Sequence, residues 1–140
     1  MNFICTHNSR RSQFGQVWAK VASVFYGIDC TTFSGGVEVT AFNERAIDSL
    51  IRFGFEIEKS GSQNPHYLIR FNLKSEPIES FSKLYNDAQN PNLDFAAIMT
   101  CDDADENCPV ISGCEQRISL RYLDPKKYDD TPLENTMYDS

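Results

Sequence analysis

A chain of 140 residues that is 41% hydrophobic and 24% charged is long enough to bury one core and too short for two of ordinary size. Its net charge of -7 argues against a broad nucleic-acid surface, which needs clustered positive charge, so an anion has to be bound in a local pocket. No apolar run approaches the roughly 20 residues that span a bilayer, and the residues ahead of Cys5 are too few for a signal peptide, so a single cytoplasmic domain away from membranes is expected.

Phe3 and Ile4 read as the end of a short buried strand. After a polar loop, Phe14, Val17, Trp18, Val21, Val24 and Phe25 recur at helical spacing over residues 12–25. Residues 31–36 read as a second strand broken by glycines, and Asn43 as the cap of a helix to about residue 53, with Ala46, Ile47, Leu50 and Ile51 on one face. Residues 55–59 and 67–71 nearly alternate about a turn-rich segment and predict a hairpin, followed by a short helix over 78–84. Residues 94–101 form an apolar run suited to the centre of a parallel sheet, and 118–120 a last short strand. Residues 128–140 lack periodicity and are expected to be a surface tail, with no C-terminal helix. Alternating strands and helices favour an α/β fold with a parallel sheet, whose ligand site lies beyond the carboxyl ends of its strands.

Cys5 sits at such an end. The loop that follows, Thr6, His7, Asn8, Ser9, Arg10 and Arg11, leads into a helix and turns backbone N–H groups toward an anion, forming an oxyanion cradle. Arg11 adds a planar fork of donors, whereas the side chain of Arg10 is read as peripheral. The same field favours the thiolate of Cys5, the nucleophilic form, with Ser12 in reach of the sulfur and Asn8 holding the loop. An isolated cysteine is more often an inert buried thiol, and the Cys-x5-Arg-Ser spacing between strand and helix reverses that preference. His7 shapes the pocket mouth or is simply solvated.

Five cysteines, Cys5, Cys30, Cys101, Cys108 and Cys114, form no even disulfide framework. Cys101 and Cys108 lie seven apart, near one side of a helix, and joining them requires local rearrangement because two intact turns hold the Cα atoms too far apart. A zinc cluster of Cys101, Cys108 and Cys114 is the competing reading, although the spacings lack a Cys-x2-Cys knuckle; a purely structural pair is another. Cys30 is expected near the second strand, and Cys114 has no evident partner. Asp124, before Pro125, is either a turn residue or a general acid.

The loop Cys5-Thr-His-Asn-Ser-Arg-Arg11-Ser12 resembles that of the low-molecular-weight protein tyrosine phosphatase superfamily, and Cys-x6-Cys-Pro at Cys101–Cys108 resembles its thioredoxin-coupled arsenate reductases. The resemblance implies a three-layer α/β fold around a four-stranded parallel sheet, with residues 55–82 as an insertion. It further implies that Cys5 attacks arsenate, Cys101 displaces arsenite, Cys108 resolves the mixed disulfide, Asp124 donates a proton, and a thioredoxin-like reductant recharges the pair. Some relatives have an acidic residue of a cation site on the first helix; Gln16 stands there, so neither a potassium ion nor any other cofactor is expected. The alternatives are a phosphatase that hydrolyses phosphomonoesters or a phosphotyrosine protein through Cys5, Arg11 and Asp124, and an oxyanion-binding module with little catalysis.

Overall fold

The computed structural model of the chain describes residues 1–107 and 110–140, so the role expected of Cys108 lies outside the described residues. The order of elements is β1 (Asn2–Cys5), α1 (Arg11–Tyr26), β2 (Phe33–Gly36), α2 (Glu44–Arg52), β3 (Glu56–Ser60), β4 (His66–Arg70), β5 (Ile78–Ser80), β6 (Phe95–Met99), α3 (Asp102–Asn107) and β7 (Cys114–Ser119), then a 3-10 turn (Pro125–Tyr128) and α4 (Glu134–Asp139). Four strands form one all-parallel sheet in the order β2-β1-β6-β7, and β3, β4 and β5 form a separate antiparallel sheet.

β1 is central, with Cys5 opposite Gly36 of β2 and Ile4 opposite Met99 of β6. A strand covered on both faces can be apolar without alternation. Accordingly Phe3, Ile4 and Cys5 of β1 and Ala97, Ile98 and Met99 of β6 are all buried. On one side lies a core of Val17, Phe42, Leu50, Tyr67 and Ile69; on the other, Ile4, Cys5, Phe95, Met99 and Cys101 pack together. The three-layer architecture around a four-stranded parallel sheet is the expected one.

Local chemistry accounts for the helix ends. Asn43 caps α2 by accepting from the Arg45 N–H at 3.0 Å, and α1 stops at Gly27, whose φ of 66° is the left-handed conformation glycine adopts without strain. Val24 and Phe25, assigned above to the apolar stripe of α1, are 43% and 80% exposed because the last turn of the helix carries them off the core.

Two expectations are corrected. Residues 78–84 do not form a helix: Ile78–Ser80 is a strand, with Ile78 paired to Ile69 and Ser80 to Tyr67, so the hairpin grows into a three-stranded sheet. Pairing with β4 buries Ile78 and Ser80 on one face and outweighs the weak local preference. Residues 128–140 are not a loose tail. They form the end of the 3-10 turn and α4, whose Tyr138 is buried in the core beside Leu50. The segment is held by contacts that no periodicity shows: ion pairs from Arg52 Nη2 to Asp139 at 2.6 Å and from Arg45 Nε to Glu134 at 2.9 Å, and a hydrogen bond from Arg10 Nε to the Tyr138 hydroxyl at 2.6 Å. Ser49 Oγ also donates to the Tyr138 carbonyl at 2.9 Å. Burial pushes the Tyr138 hydroxyl up to about 12, so it stays protonated and donates to Asp129 at 2.8 Å.

Replacing Tyr138 with Ala should cost about 3–5 kcal/mol, the range for removing a buried aromatic ring, read as a lowered midpoint in urea with an unchanged slope.

Candidate active site

The loop between β1 and α1 is built around Asn8, which is fully buried and has a φ of 46°. Asparagine tolerates this conformation better than most residues, and here it reverses the chain between strand and helix. Asn8 Oδ1 accepts the Lys83 backbone N–H at 2.9 Å, which fixes the amide so that Nδ2 faces Ser12 and donates to its Oγ at 2.8 Å. Ser12 Oγ also lies 3.0 Å from Cys5 Sγ, and its hydroxyl donates to the sulfur when that is a thiolate, which can only accept. The Gln13 amide donates to the Asn8 carbonyl at 3.0 Å, and Ser82 Oγ donates to the His7 carbonyl at 3.0 Å.

Gly36 makes the loop fit. A methyl group there would lie 2.8 Å from the Thr6 carbonyl oxygen and 2.9 Å from the Asn8 nitrogen, closer than any side chain tolerates. The glycine pair that ends β2 carries this signal, beyond the strand break it suggests by itself.

Arg11 and Asp124 come together from opposite ends of the chain: Nη2 donates to Asp124 Oδ2 at 2.8 Å, and Nη1 to the Tyr122 carbonyl at 3.2 Å. The other Asp124 oxygen accepts from the Lys126 N–H at 3.1 Å, so the residue caps the turn and faces the loop arginine at once. The Arg10 guanidinium is turned to Tyr138 and to Asp129, 3.3 Å away. His7 lies at the exposed edge with Nε2 3.4 Å from Glu38, while the Ser9 carbonyl accepts from the Asn43 N–H at 2.9 Å.

Cys101 leaves β6 at the start of α3 and is buried in the same apolar cluster as Cys5. Its Sγ accepts from the Ala104 N–H at 3.4 Å and lies 3.5 Å from Thr6 Oγ1. Thr6 Oγ1 donates to Asp103 at 2.6 Å, tying α3 to the oxyanion loop; that bond, with a second from Asn107, holds the Asp103 carboxyl below its ordinary range. Asp105, two residues on, receives Ser119 and the guanidinium groups of Arg117 and Arg121. The Ser119 hydroxyl first, then Arg121, lower its carboxyl to about 2, so it is ionised at neutral pH. Neither Asp103 nor Asp105 stands out in the sequence, because acidic residues in a short polar stretch look like solvated surface. Cys114 opens β7 against the Cys101 cluster, and Cys30 lies after α1 with its thiol 3.7 Å from the Thr31 carbonyl. Among the described residues no group of three or more His, Cys, Asp or Glu side chains is arranged to hold a metal ion, and no helix is long and apolar enough to cross a membrane.

A cysteine at the end of a central parallel strand, looking into a loop whose closing arginine is held by an Asp-Pro carboxylate, is the arrangement of the low-molecular-weight phosphatase superfamily. No family model matches the chain. Curated relatives do: it is 33% identical over 123 residues to the arsenate reductase of Staphylococcus aureus (strain Newman), an overlap of 88% of this chain and 76% of that protein. It is 31% identical to arsenate reductase 2 of Staphylococcus haemolyticus (strain JCSC1435) and 29% identical to arsenate reductase 2 of Staphylococcus epidermidis (strain RP62A), each with the same coverage. The chain belongs to the arsenate reductase family.

Gly36→Ala should displace Thr6 and Asn8 and weaken phosphate binding at the loop at least about tenfold, measured by calorimetry, with little change in fold content by circular dichroism. Burial pushes the Lys83 ammonium down from 10.5 to about 8. Below pH 8 it is charged in the folded and unfolded chain and the whole burial cost is felt; between 8 and 10.5 the unfolded chain binds the extra proton, so stability rises with pH. That rise, up to about 3 kcal/mol, should be absent from Lys83→Met in urea titrations across this range.

Proposed function

We propose that the chain reduces arsenate to arsenite by a three-cysteine relay. The observation that carries this reading is the placement of Cys101, which packs in one buried cluster with Cys5 and lies 3.5 Å from the hydroxyl of Thr6 in the oxyanion loop. A hydrolase working through Cys5, Arg11 and Asp124 has no use for a second thiol there. The similarity to proteins named arsenate reductase supports the same reaction.

Arsenate binds to the backbone N–H groups of residues 6–11 and to the Arg11 guanidinium, which Asp124 orients. The Cys5 thiolate attacks arsenic and an arsenic–oxygen bond breaks; Asp124, once it has taken a proton from solvent and released Arg11, passes that proton to the departing oxygen, which leaves as water. The Cys101 thiolate then attacks Cys5 Sγ. The sulfur–arsenic bond breaks, and its electron pair stays with arsenic, which leaves as arsenite reduced from the +5 to the +3 state. Cys108 attacks Cys101, freeing the Cys5 thiolate and leaving a Cys101–Cys108 disulfide. A thioredoxin-like dithiol supplies two electrons and two protons to restore the pair. Ser12 serves the first and last steps by donating to the Cys5 sulfur whenever it is anionic.

After treatment of the reduced protein with arsenate, mass spectrometry should find the Cys101–Cys108 disulfide and an equal amount of arsenite. Cys101→Ser and Cys108→Ser should each lower thioredoxin-coupled turnover by at least about a thousandfold, because neither oxygen can take part in disulfide exchange. Undiminished turnover in either variant defeats the relay. An inert response to arsenate combined with Cys5-dependent hydrolysis of an aryl phosphate assigns the site to phosphomonoesters instead.

A further inference from the structure

The relay requires Cys101 and Cys108 to join, yet α3 (Asp102–Asn107) stands between them. In any unbroken helix seven residues advance about 10 Å, beyond the ~7 Å between Cα atoms that a disulfide spans, so on the relay reading closure of the pair comes with opening of α3. A helix of 6 residues is too short to hold its form in water by local propensity. Its form therefore depends on tertiary contacts: Thr6 holds Asp103, and the bonds from β7 and the segment after it gather at Asp105.

Ser119 Oγ and Arg121 Nη2 each donate to Asp105 Oδ2 at 2.8 Å, and Arg117 Nη2 donates to Oδ1 at 3.0 Å. Arg117 also donates to the Asp105 backbone carbonyl, and Arg121 reaches Asp102 at 3.1 Å. The Asp105 side chain is 12% exposed, so these pairs are poorly screened by solvent. Arg117 belongs to β7 and pairs with Ala97 of β6, the strand that feeds Cys101 into α3. The bonds thus fasten the helix after β6 to the strand beside β6, across the stretch that must rearrange.

We infer that Asp105 is a positioning residue of the relay: by fastening α3 to Arg117 and Arg121 it keeps Cys101 at the oxyanion loop and opposes closure of the Cys101–Cys108 disulfide. The inference rests on the relay reading above. Its consequence is a disulfide formed against resistance and easily reopened by a reducing partner, because reduction lets the helix and its ion pairs re-form. The acidic residue works through the thiols and touches neither arsenic nor sulfur.

The test is the equilibrium between the protein and mixtures of reduced and oxidised dithiothreitol. The two thiols pass two electrons and two protons to cyclic oxidised dithiothreitol, giving the protein disulfide and the open dithiol, and alkylation followed by mass spectrometry reads the fraction closed. D105N should shift the equilibrium constant about tenfold toward the protein disulfide and R121Q about threefold, the second variant removing an arginine that is 46% exposed. R52Q breaks the Arg52–Asp139 pair, which joins α2 to α4 and includes no residue of α3; it should lower stability and leave the constant unchanged, which separates a redox effect from a general loss of fold. Constants for D105N and R121Q within twofold of the parent overturn the inference. A parent protein that closes no Cys101–Cys108 disulfide under any ratio defeats the relay itself, and the role of Asp105 with it.

Discussion

The side-chain amide of Asn8 joins two segments that otherwise have no reason to meet. Its oxygen takes the Lys83 N–H and its nitrogen serves Ser12, which in turn faces the Cys5 sulfur. Reversing the amide would set two acceptors or two donors against each other in a fully buried setting, where an unmade hydrogen bond costs about 1–3 kcal/mol. The orientation is therefore fixed by desolvation. The left-handed backbone at Asn8, the close approach permitted by Gly36 and the route of residues 81–84 beneath the loop all follow from the need to keep this one group satisfied. A reactive sulfur in such a place is aimed by its surroundings before any ligand arrives.

The excess of acid in the chain has a structural use. Arg10, Arg45 and Arg52 gather Asp129, Asp130, Glu134 and Asp139, closing the C-terminal segment over the core, while Arg117 and Arg121 gather the carboxylates of α3. Arg11 is directed by the single carboxylate of Asp124. Several of these pairs are partly shielded from water, so they act as fixed struts more than as the loosely worth surface pairs of an ordinary charged exterior. The pairing sets many of the acidic side chains against the protein's own arginines and leaves the loop one oriented guanidinium, that of Arg11, for the proposed anion site.

Much of the site was legible because the loop is a local device. The distance from Cys5 to Arg11 along the chain, a strand before and a helix after are enough to define a cradle, and the alternation of elements is enough to call for a parallel sheet. Asn43 as a helix cap was equally local. What stayed hidden depends on contacts between distant residues. Ile78–Ser80 takes its strand form from β4, and α4 is held by Arg10 of the loop before α1 and by Arg45 and Arg52 of α2. The brace of Ser82 and Lys83 is made largely by backbone groups, which carry no residue signature at all. Asp105 could have been suspected from its position between two cysteines, but its partners lie beyond β6 in a strand whose register no local pattern gives.

The brace has a kinetic meaning. Lys83 is 75 residues downstream of Asn8, and the chain between them, which carries β2, α2 and the antiparallel sheet, has to loop back before the two can bond. A loop with such a short local sequence is therefore among the last parts of the molecule to acquire its shape, since contacts of long sequence separation are the slow ones to form. Newly made chains pass through a stage in which Cys5 has no Ser12 geometry to direct it and is an ordinary thiol beside other ordinary thiols. Ordering of the Cys5 loop during refolding reports the meeting of residues 8 and 83, and in a chain arrested short of that point the thiol has no Ser12 hydroxyl aligned on it.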